Sequence, residues 1–340
     1  MNKVSLGLAG AGRIGTMHAK NISALNEGLR EQGIQVRLQI TDVAADHARA
    51  VAESVGAEFV PSVRDMLDGG VDGLVIATGT ATHPELIRAG VEAGIPVFCE
   101  KPVAGNVADS LPVLDCIREH NGVVQIGHQR RFDAGYLEAK RRFDAGELGW
   151  IYSLRAVTGD MFPPSIEFLA TSGGLFRDCS VHDFDILRWL TGHEIVEVYA
   201  RGSNNGDPAI GAVGDVDTAL AVVTFDDGTV GTVSATRYNG AGHDVRLEIQ
   251  GSKSSVMVGL DEKTAVRSTE AGVEFPQGET HKTFAERFDA AYRAEMLAFL
   301  ELIQGQRENP CTPDDAVAAS KVADAAQLSL ETGIPVKVEL

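Results

Sequence analysis

At 340 residues the chain has room for two domains, each with its own core. Its formal net charge of -18 argues against nucleic acid or an anionic membrane surface as a partner. With 44% hydrophobic and 23% charged residues it has the proportions of a soluble globular protein, not of a disordered or membrane-spanning one. No basic stretch followed by an apolar core opens the sequence and no apolar run reaches the length of a span, so the expected location is cytoplasmic. Cys99, Cys116, Cys179 and Cys311 are scattered without a CxxC spacing and read as free thiols in a reducing compartment.

The chain begins with a buried strand, Val4 to Ala9, that runs into Gly10-Ala11-Gly12-Arg13-Ile14-Gly15. A helix follows, with Ile14, Met17, Ile22, Leu25 and Leu29 on one side. Among 37 glycines a GxGxxG match arises easily by chance, and the strand before and helix after are what give this one weight. In a dinucleotide turn Gly10 permits the tight bend, Gly12 lets a diphosphate approach the backbone, and Gly15 lets the helix pack close to the sheet. The helix N-terminus offers its N–H groups to the anion. Gly10, Gly12, Arg13 and Ile14 are therefore the expected cofactor-binding turn.

A second strand, Ile34 to Ile40, ends at Thr41-Asp42. An acidic side chain there accepts from both ribose hydroxyls and repels a 2′-phosphate, so Asp42 favours NAD over NADP. The spacing from the glycines exceeds the usual value of roughly 20 residues. A helix end and loop over Asn26–Gly33 would absorb the excess. Asp42 also suits a turn role at the start of the helix Ala44–Val55, and the two roles are compatible.

Strands at Gly73–Ala77, Val97–Cys99 and Val123–Ile126 alternate with helices at Pro84–Ala93 and Ala108–Glu119. Strand–helix alternation of this length predicts an α/β fold, a doubly wound parallel Rossmann sheet over residues 1–125. Ligands sit at the carboxyl ends of such strands, where Gly10–Gly15, Asp42, Thr78 and Glu100-Lys101 all fall. From residue 126 the pattern changes to a C-terminal α+β domain, 126–340, with a large, mainly antiparallel sheet. A helix Asp133–Ala145 and a strand Trp150–Val157 lead into it. Thr218–Phe225 and Thr229–Ala235 flank the hairpin signal Asp226-Asp227-Gly228, and Asp244–Gln250 and Ser255–Val258 flank Gly251-Ser252-Lys253. Helices Ala285–Ile303 and Pro313–Glu331 and a strand Pro335–Leu340 close the chain.

Along Thr218–Phe225, Ala219, Ala221 and Val223 line one alternation, and Leu220 and Val222, with Phe225 near them, line the other. Two apolar faces need two covers. A helix such as Ala285–Ile303 would supply one, and the same face of another subunit the other, giving a dimer or a tetramer of dimers.

Two segments carry chemistry. Lys101 follows directly on a strand and precedes Pro102, which places it to reach a substrate hydroxyl; charge pattern alone would make it a solvated surface residue. Residues 178–191 read as a helix ended by Gly192 at C′. Its apolar face is Val181, Phe184, Leu187 and Leu190, while Asp178, His182 and Asp185 share another face. A carboxylate one turn from an imidazole can hold its tautomer and raise its basicity, as a general base requires. The same pair also reads as a satisfied ion pair on a solvated helix. A metal centre is not expected, because neither HExxH nor clustered cysteines accompany it.

GAGRIG at 10–15, IATGTATH at 76–83, CEKP at 99–102, GHQRRFD at 127–133 and GGLFRDCSVHDFDILRWL at 173–190 together resemble the Gfo/Idh/MocA oxidoreductase family over essentially the whole chain. Within it the sequence looks most like the inositol 2-dehydrogenases. The resemblance implies Lys101, Asp178 and His182 as the catalytic group. It also implies Thr78, Thr80, His83, Glu100 and Lys101 near NAD, and Lys101, Arg131, Asp178 and His182 at the polyol. Gly79 departs from the proline of many members, and Gly242-His243-Asp244 from a common Gly-Tyr-Asp. The implied reaction is NAD-dependent oxidation of a secondary hydroxyl of an inositol or related sugar. His182 would take the proton and Lys101 stabilise the oxygen, while Asp178 orients His182 or binds a neighbouring hydroxyl. A sugar dehydrogenase, a glycoside-processing enzyme that retains NAD, and a non-catalytic NAD-binding regulator are the other readings.

Overall fold

The computed structural model describes residues 2–31 and 33–339. Among these, one sheet has six parallel strands: β1 (Asn2–Ala9), β2 (Ile34–Thr41), β3 (Glu58–Phe59), β4 (Gly73–Ile76), β5 (Val97–Glu100) and β6 (Val124–Gly127). Their order, β3-β2-β1-β4-β5-β6, is that of a doubly wound dinucleotide fold. Every residue of β4 and β6 is buried, because the crossover helices cover both faces. One face packs Leu6, Leu8 and Val75 against Ala19, Ile22 and Ala48. The other packs Leu74, Ile76 and Val97 against Ile87, Val91 and Val113.

The helix after the glycine turn runs Arg13–Glu31, past the expected end near Asn26. The Asn26 amide explains this, since its Nδ2 donates to Val36 O at 2.8 Å and its Oδ1 accepts from Val36 N at 3.0 Å. One side chain thereby pins the helix to β2. Gln32, within the expected loop, lies outside the described residues.

The chain forms two compact units, Met1–Phe132 with Ala290–Val317, and Asp133–Asp289 with Ala318–Leu340. These differ from the contiguous stretches 1–125 and 126–340. The cause is the helix Asp289–Ile303, whose Met296, Phe299 and Leu300 join the first core beside Val4 and Leu6. Each such side chain contributes about 1.5–3 kcal/mol by burial. The expectation that this helix covers the second sheet is therefore corrected: it covers the Rossmann sheet.

The second unit holds β7 (Ile151–Gly159), β8 (Ile195–Ser203), β9 (Thr218–Phe225), β10 (Val230–Thr236), β11 (Asp244–Gly251), β12 (Ser255–Val258) and β13 (Val336–Lys337), in the order β12-β11-β7-β10-β9-β8-β13. All neighbours are antiparallel except β7 and β10, so the sheet is mixed. Leu340, in the expected last strand, lies outside the described residues. The hairpin β9–β10 closes through Asp226-Asp227-Gly228, with Gly228 at φ 86°. On β9, Ala219, Ala221, Val223 and Phe225 are buried, while Leu220 and Val222 are 56% and 47% exposed. Phe225 thus belongs with the buried row, as strict period-2 alternation requires. The buried face is covered by this unit's own helices; the hydroxyl of Ser329, for example, accepts from Ala200 N at 2.9 Å.

Candidate active site

In the first unit, the carboxyl ends of β1, β2, β4 and β5 gather most of the expected cofactor residues. Gly10 has φ +99°, and a Cβ on it would lie 2.5 Å from Ala77 O. A Cβ on Gly15 would lie 2.0 Å from Gly10 O, so the helix meets the turn at a distance only glycine allows. Gly12 differs: it is exposed, with no atom within 4 Å of an added Cβ. The structure itself makes no demand for glycine there, which leaves backbone surface for a ligand to approach. Arg13 and Ile14 open the helix, whose positive N-terminal end suits a diphosphate.

Asp42 is tied to the same turn. Its Oδ2 accepts from Ala11 N at 2.7 Å and its Oδ1 from Ala44 N at 2.8 Å. Each carboxylate oxygen keeps a second lone pair, so the turn role is compatible with a ribose role. His47 adds a further strap, with Nε2 2.9 Å from Ala11 O. Open Gly12, the helix end and the acid at β2 together fit NAD.

Past β4, Thr78 Oγ1 lies 2.7 Å from Thr82 Oγ1, and Thr80 begins the short turn Thr80–Thr82. Gly79 has φ -67° and ψ 141°, a conformation that proline also adopts, so its departure from proline leaves the loop backbone in the same region. His83 is buried, with Nδ1 2.7 Å from Pro102 O and Nε2 3.2 Å from Thr78 O. It fastens the loop after β4 to the loop carrying Lys101, a structural footing that the sequence did not reveal. Lys101 itself is half-buried at the end of β5 and joined to Pro102 by a cis bond.

Glu100 turns back into the unit, its Oε1 2.7 Å from Nε2 of the fully buried His18. Behind it, Glu295 is fully buried with no hydrogen-bond partner on either carboxylate oxygen. Burial, and then the charge of Glu100, push its carboxyl well above the usual range. Arg131 is also buried, donating through Nη1 to Pro310 O at 3.0 Å and to Asp315 Oδ2 at 3.3 Å. Through these bonds it joins 129–132 to 310–315.

In the second unit the expected helix is two segments. A π-helical turn, Phe176–Ser180, precedes the α-helix Val181–Thr191, which ends on left-handed Gly192. Val181, Phe184, Leu187 and Leu190 are buried as the periodicity implies. Asp183 and Asp185 are buried too, and Thr158 Oγ1 donates to Asp183 Oδ2 at 2.9 Å, so Asp185 does not lie on a solvated face. His182 is half-buried at the start of the α-helix. The π turn is wider than an α turn, which changes the relation of Asp178 to His182 that simple i, i+4 spacing implies. π turns inside helices recur at functional sites.

Asp178 has a partner that no motif announced. Arg237, one residue past β10 and fully buried, donates through Nη1 to Asp178 Oδ2 at 2.6 Å and through Nη2 to Asp215 Oδ2 at 2.8 Å. Burial opposes its charge, but Cys179, Asp178 and Asp215 hold its pKa above the ordinary arginine value. On the far side of Cys179, the Asp160 carboxylate lies 3.8 Å from the Cys179 sulfur and 3.2 Å from Nδ1 of His243, the residue that departs from tyrosine. Asp160, Asp178, Cys179, Asp215, Arg237 and His243 thus form one polar network. Its members lie far apart in sequence, and only a charged residue at the end of an alternating strand hinted at Arg237.

Elsewhere in this unit, His193, Asp226 and Asp227 are the one group among the described residues close enough to share a metal ion, and His193 pairs with Asp226 at 2.7 Å. A cavity of about 380 Å³ beside them, lined by Phe143, Trp150, Ile151 and Phe225, shares no residue with the expected site. No helix among the described residues is long and apolar enough to cross a membrane.

Residues 4–128 match the oxidoreductase family's NAD-binding Rossmann fold (GFO_IDH_MocA), and residues 140–338 match that family's C-terminal alpha/beta domain. The chain is 37% identical to the myo-inositol dehydrogenase Hyg17 of Streptomyces leeuwenhoekii, covering 98% of this chain and 99% of that protein. It is 34% identical to the NAD(+)-dependent scyllo-inositol 2-dehydrogenase of Bacillus subtilis, over 100% and 97% of the two chains. Among solved structures, scyllo-inositol dehydrogenase from Lactobacillus casei with bound NAD(H) and scyllo-inositol superposes with a TM-score of 0.87 at 29% identity, covering 99% of each chain. With both halves matched, an open glycine turn and an acid at the end of β2, the chain is an NAD-binding member of the Gfo/Idh/MocA oxidoreductase family.

Proposed function

We propose that this protein is an NAD-dependent inositol dehydrogenase, oxidising one secondary hydroxyl of myo- or scyllo-inositol to the ketone. The observation that carries the reading is the near full-length match to inositol dehydrogenases of both isomer types. Bound NAD supplies the hydride acceptor. His182 removes the hydroxyl proton, and the Lys101 ammonium stabilises negative charge developing on the oxygen. Asp178, held by Arg237, orients His182 or binds a neighbouring hydroxyl. Gly10, Gly12, Arg13, Ile14, Asp42, Thr78 and Thr80 serve the cofactor. His83 and Glu100 act one step behind it, through the loops they hold.

The test is NAD reduction, followed by NADH absorbance, over a panel of inositol isomers and hexoses. Stoichiometric NADH with an inositol supports the reading. Turnover of a glycoside without NADH build-up would indicate transient oxidation with retained cofactor, and NAD binding without any turnover would indicate a regulator.

Assembly through the open face of the second sheet belongs to the same proposal. Leu220, Val222 and Val230 stand exposed on adjacent strands, and a matching face of a second copy would cover them. Light scattering should show a dimer or tetramer that Leu220→Lys with Val222→Lys disrupts; a fully active wild-type monomer at micromolar concentration would refute it. None of the four cysteines is in a disulfide, which suits a reducing, cytoplasmic setting.

A further inference from the structure

The Asp178 carboxylate is carried on the π turn Phe176–Ser180, whose i→i+5 bonding departs from that of an α-helix. Here two residues from elsewhere in the second unit close a ring around it. Asp215 Oδ1 accepts from Leu175 N, at the turn's start, at 2.9 Å. Its other oxygen accepts from Arg237 Nη2 at 2.8 Å, and Arg237 Nη1 reaches Asp178 Oδ2 at 2.6 Å. The same Nη1 lies 3.6 Å from the Cys179 sulfur. Arg237 and Asp215 are closed off from water, and Asp178 keeps a small open surface: their side chains are 0%, 4% and 16% exposed. A guanidinium bridging two carboxylates gains most in such a setting, since its donors sit in a fixed planar fork.

We propose that Arg237, backed by Asp215, is a positioning residue for the dehydrogenase reaction, holding the Asp178 carboxylate in one orientation for substrate. The inference rests on the reading that Asp178 takes part in catalysis. A fixed carboxylate contributes through preorganisation, and a misplacement of about 1 Å is enough to cost about 100-fold in rate. Lysine cannot replace the fork, because a single ammonium cannot hold both carboxylates in this planar geometry.

The experiment is a double-mutant cycle on the full-length protein. It uses Arg237→Met, Arg237→Lys, Asp215→Asn and Asp178→Asn, with kcat, KM for inositol, NAD affinity and thermal midpoint measured for each. Arg237→Met is expected to lower kcat/KM for inositol by about 100-fold with NAD affinity within about twofold of wild type. Arg237→Lys recovers part of that loss. In the Asp178→Asn background, Arg237→Met costs less than about threefold more, because the group it positions is already gone. Independent, multiplying losses for the two substitutions would overturn the inference, as would a folded Arg237→Met with wild-type kcat/KM. If Arg237→Met does not fold, Arg237→Lys and the near-isosteric Asp215→Asn carry the same cycle, each expected to lose about tenfold and to show the same non-additivity. An Asp178→Asn variant with full activity would refute the catalytic reading itself, a result separate from any outcome at Arg237.

Discussion

Gly12 and Gly15 belong to one motif, yet the structure separates their roles, and two alanine variants make the difference measurable. A Cβ on Gly15 would lie 2.0 Å from Gly10 O and 2.7 Å from Gly10 C, both backbone atoms that no rotamer change can move. Ordinary contact begins near 3.4 Å, so the helix and the turn would have to part by about 1.4 Å. Overpacking of this kind costs about 1–3 kcal/mol. It also shifts the helix N-terminus away from the cofactor, for which a loss of about 100-fold in turnover is the expected scale. At Gly12 nothing lies within 4 Å of the added methyl. Gly12→Ala should therefore keep the wild-type melting temperature, and even gain a few tenths of a kcal/mol from reduced unfolded-state freedom. Its methyl occupies the surface the diphosphate approaches, so NAD affinity should fall by tenfold or more, about 1.4 kcal/mol. Calorimetric titration with NAD and differential scanning of both variants provide the assay. Gly12→Ala binding NAD with wild-type affinity would refute the cradle, and Gly15→Ala melting at the wild-type temperature would refute the close approach.

His182→Ala and Lys101→Ala should each lower turnover by about 100-fold or more while leaving NAD affinity nearly intact; steady-state kinetics with wild-type turnover in either would remove that residue from proton handling. Asp42→Ala should weaken NAD binding and narrow its advantage over NADP, and wild-type use of the two cofactors at equal efficiency would end the ribose assignment. At Glu295, burial and Glu100 raise the folded-state pKa, so the folded chain retains a proton that the unfolded chain releases above the ordinary carboxylate range. The stability tied to that proton is complete below about pH 4.3 and is lost as pH rises toward the folded-state value. Glu295→Gln lacks this dependence, so its stability relative to wild type should improve by up to about 1.4 kcal/mol per pH unit above that point, and urea midpoints with a pH-independent difference would contradict it.

The local chemistry of the Rossmann half was legible in the sequence. Strand, glycine turn, helix and a strand-end acid lie close together along the chain, and each is dictated by short-range rules: φ at Gly10, apolar periodicity in the helix, a carboxylate one strand later. The hairpin at Asp226-Asp227-Gly228 and the left-handed stop at Gly192 were legible for the same reason. What periodicity cannot supply is a partner. A helix ending at Ile303 was legible, but only the tertiary structure decided that Asp289–Ile303 packs into the Rossmann core rather than on the second sheet. Strand β8 and the parallel pairing of β7 with β10 likewise needed the assembled sheet. The π turn beneath Asp178 could not be read from a spacing that fits an α-helix equally well. Within the two units, the bonds of Arg237 to Asp178, His83 to Pro102 O and His18 to Glu100 join residues 19 to 82 positions apart. They exist because burial makes an unpaired charge or polar group costly, and which group answers it is settled only when the chain has closed.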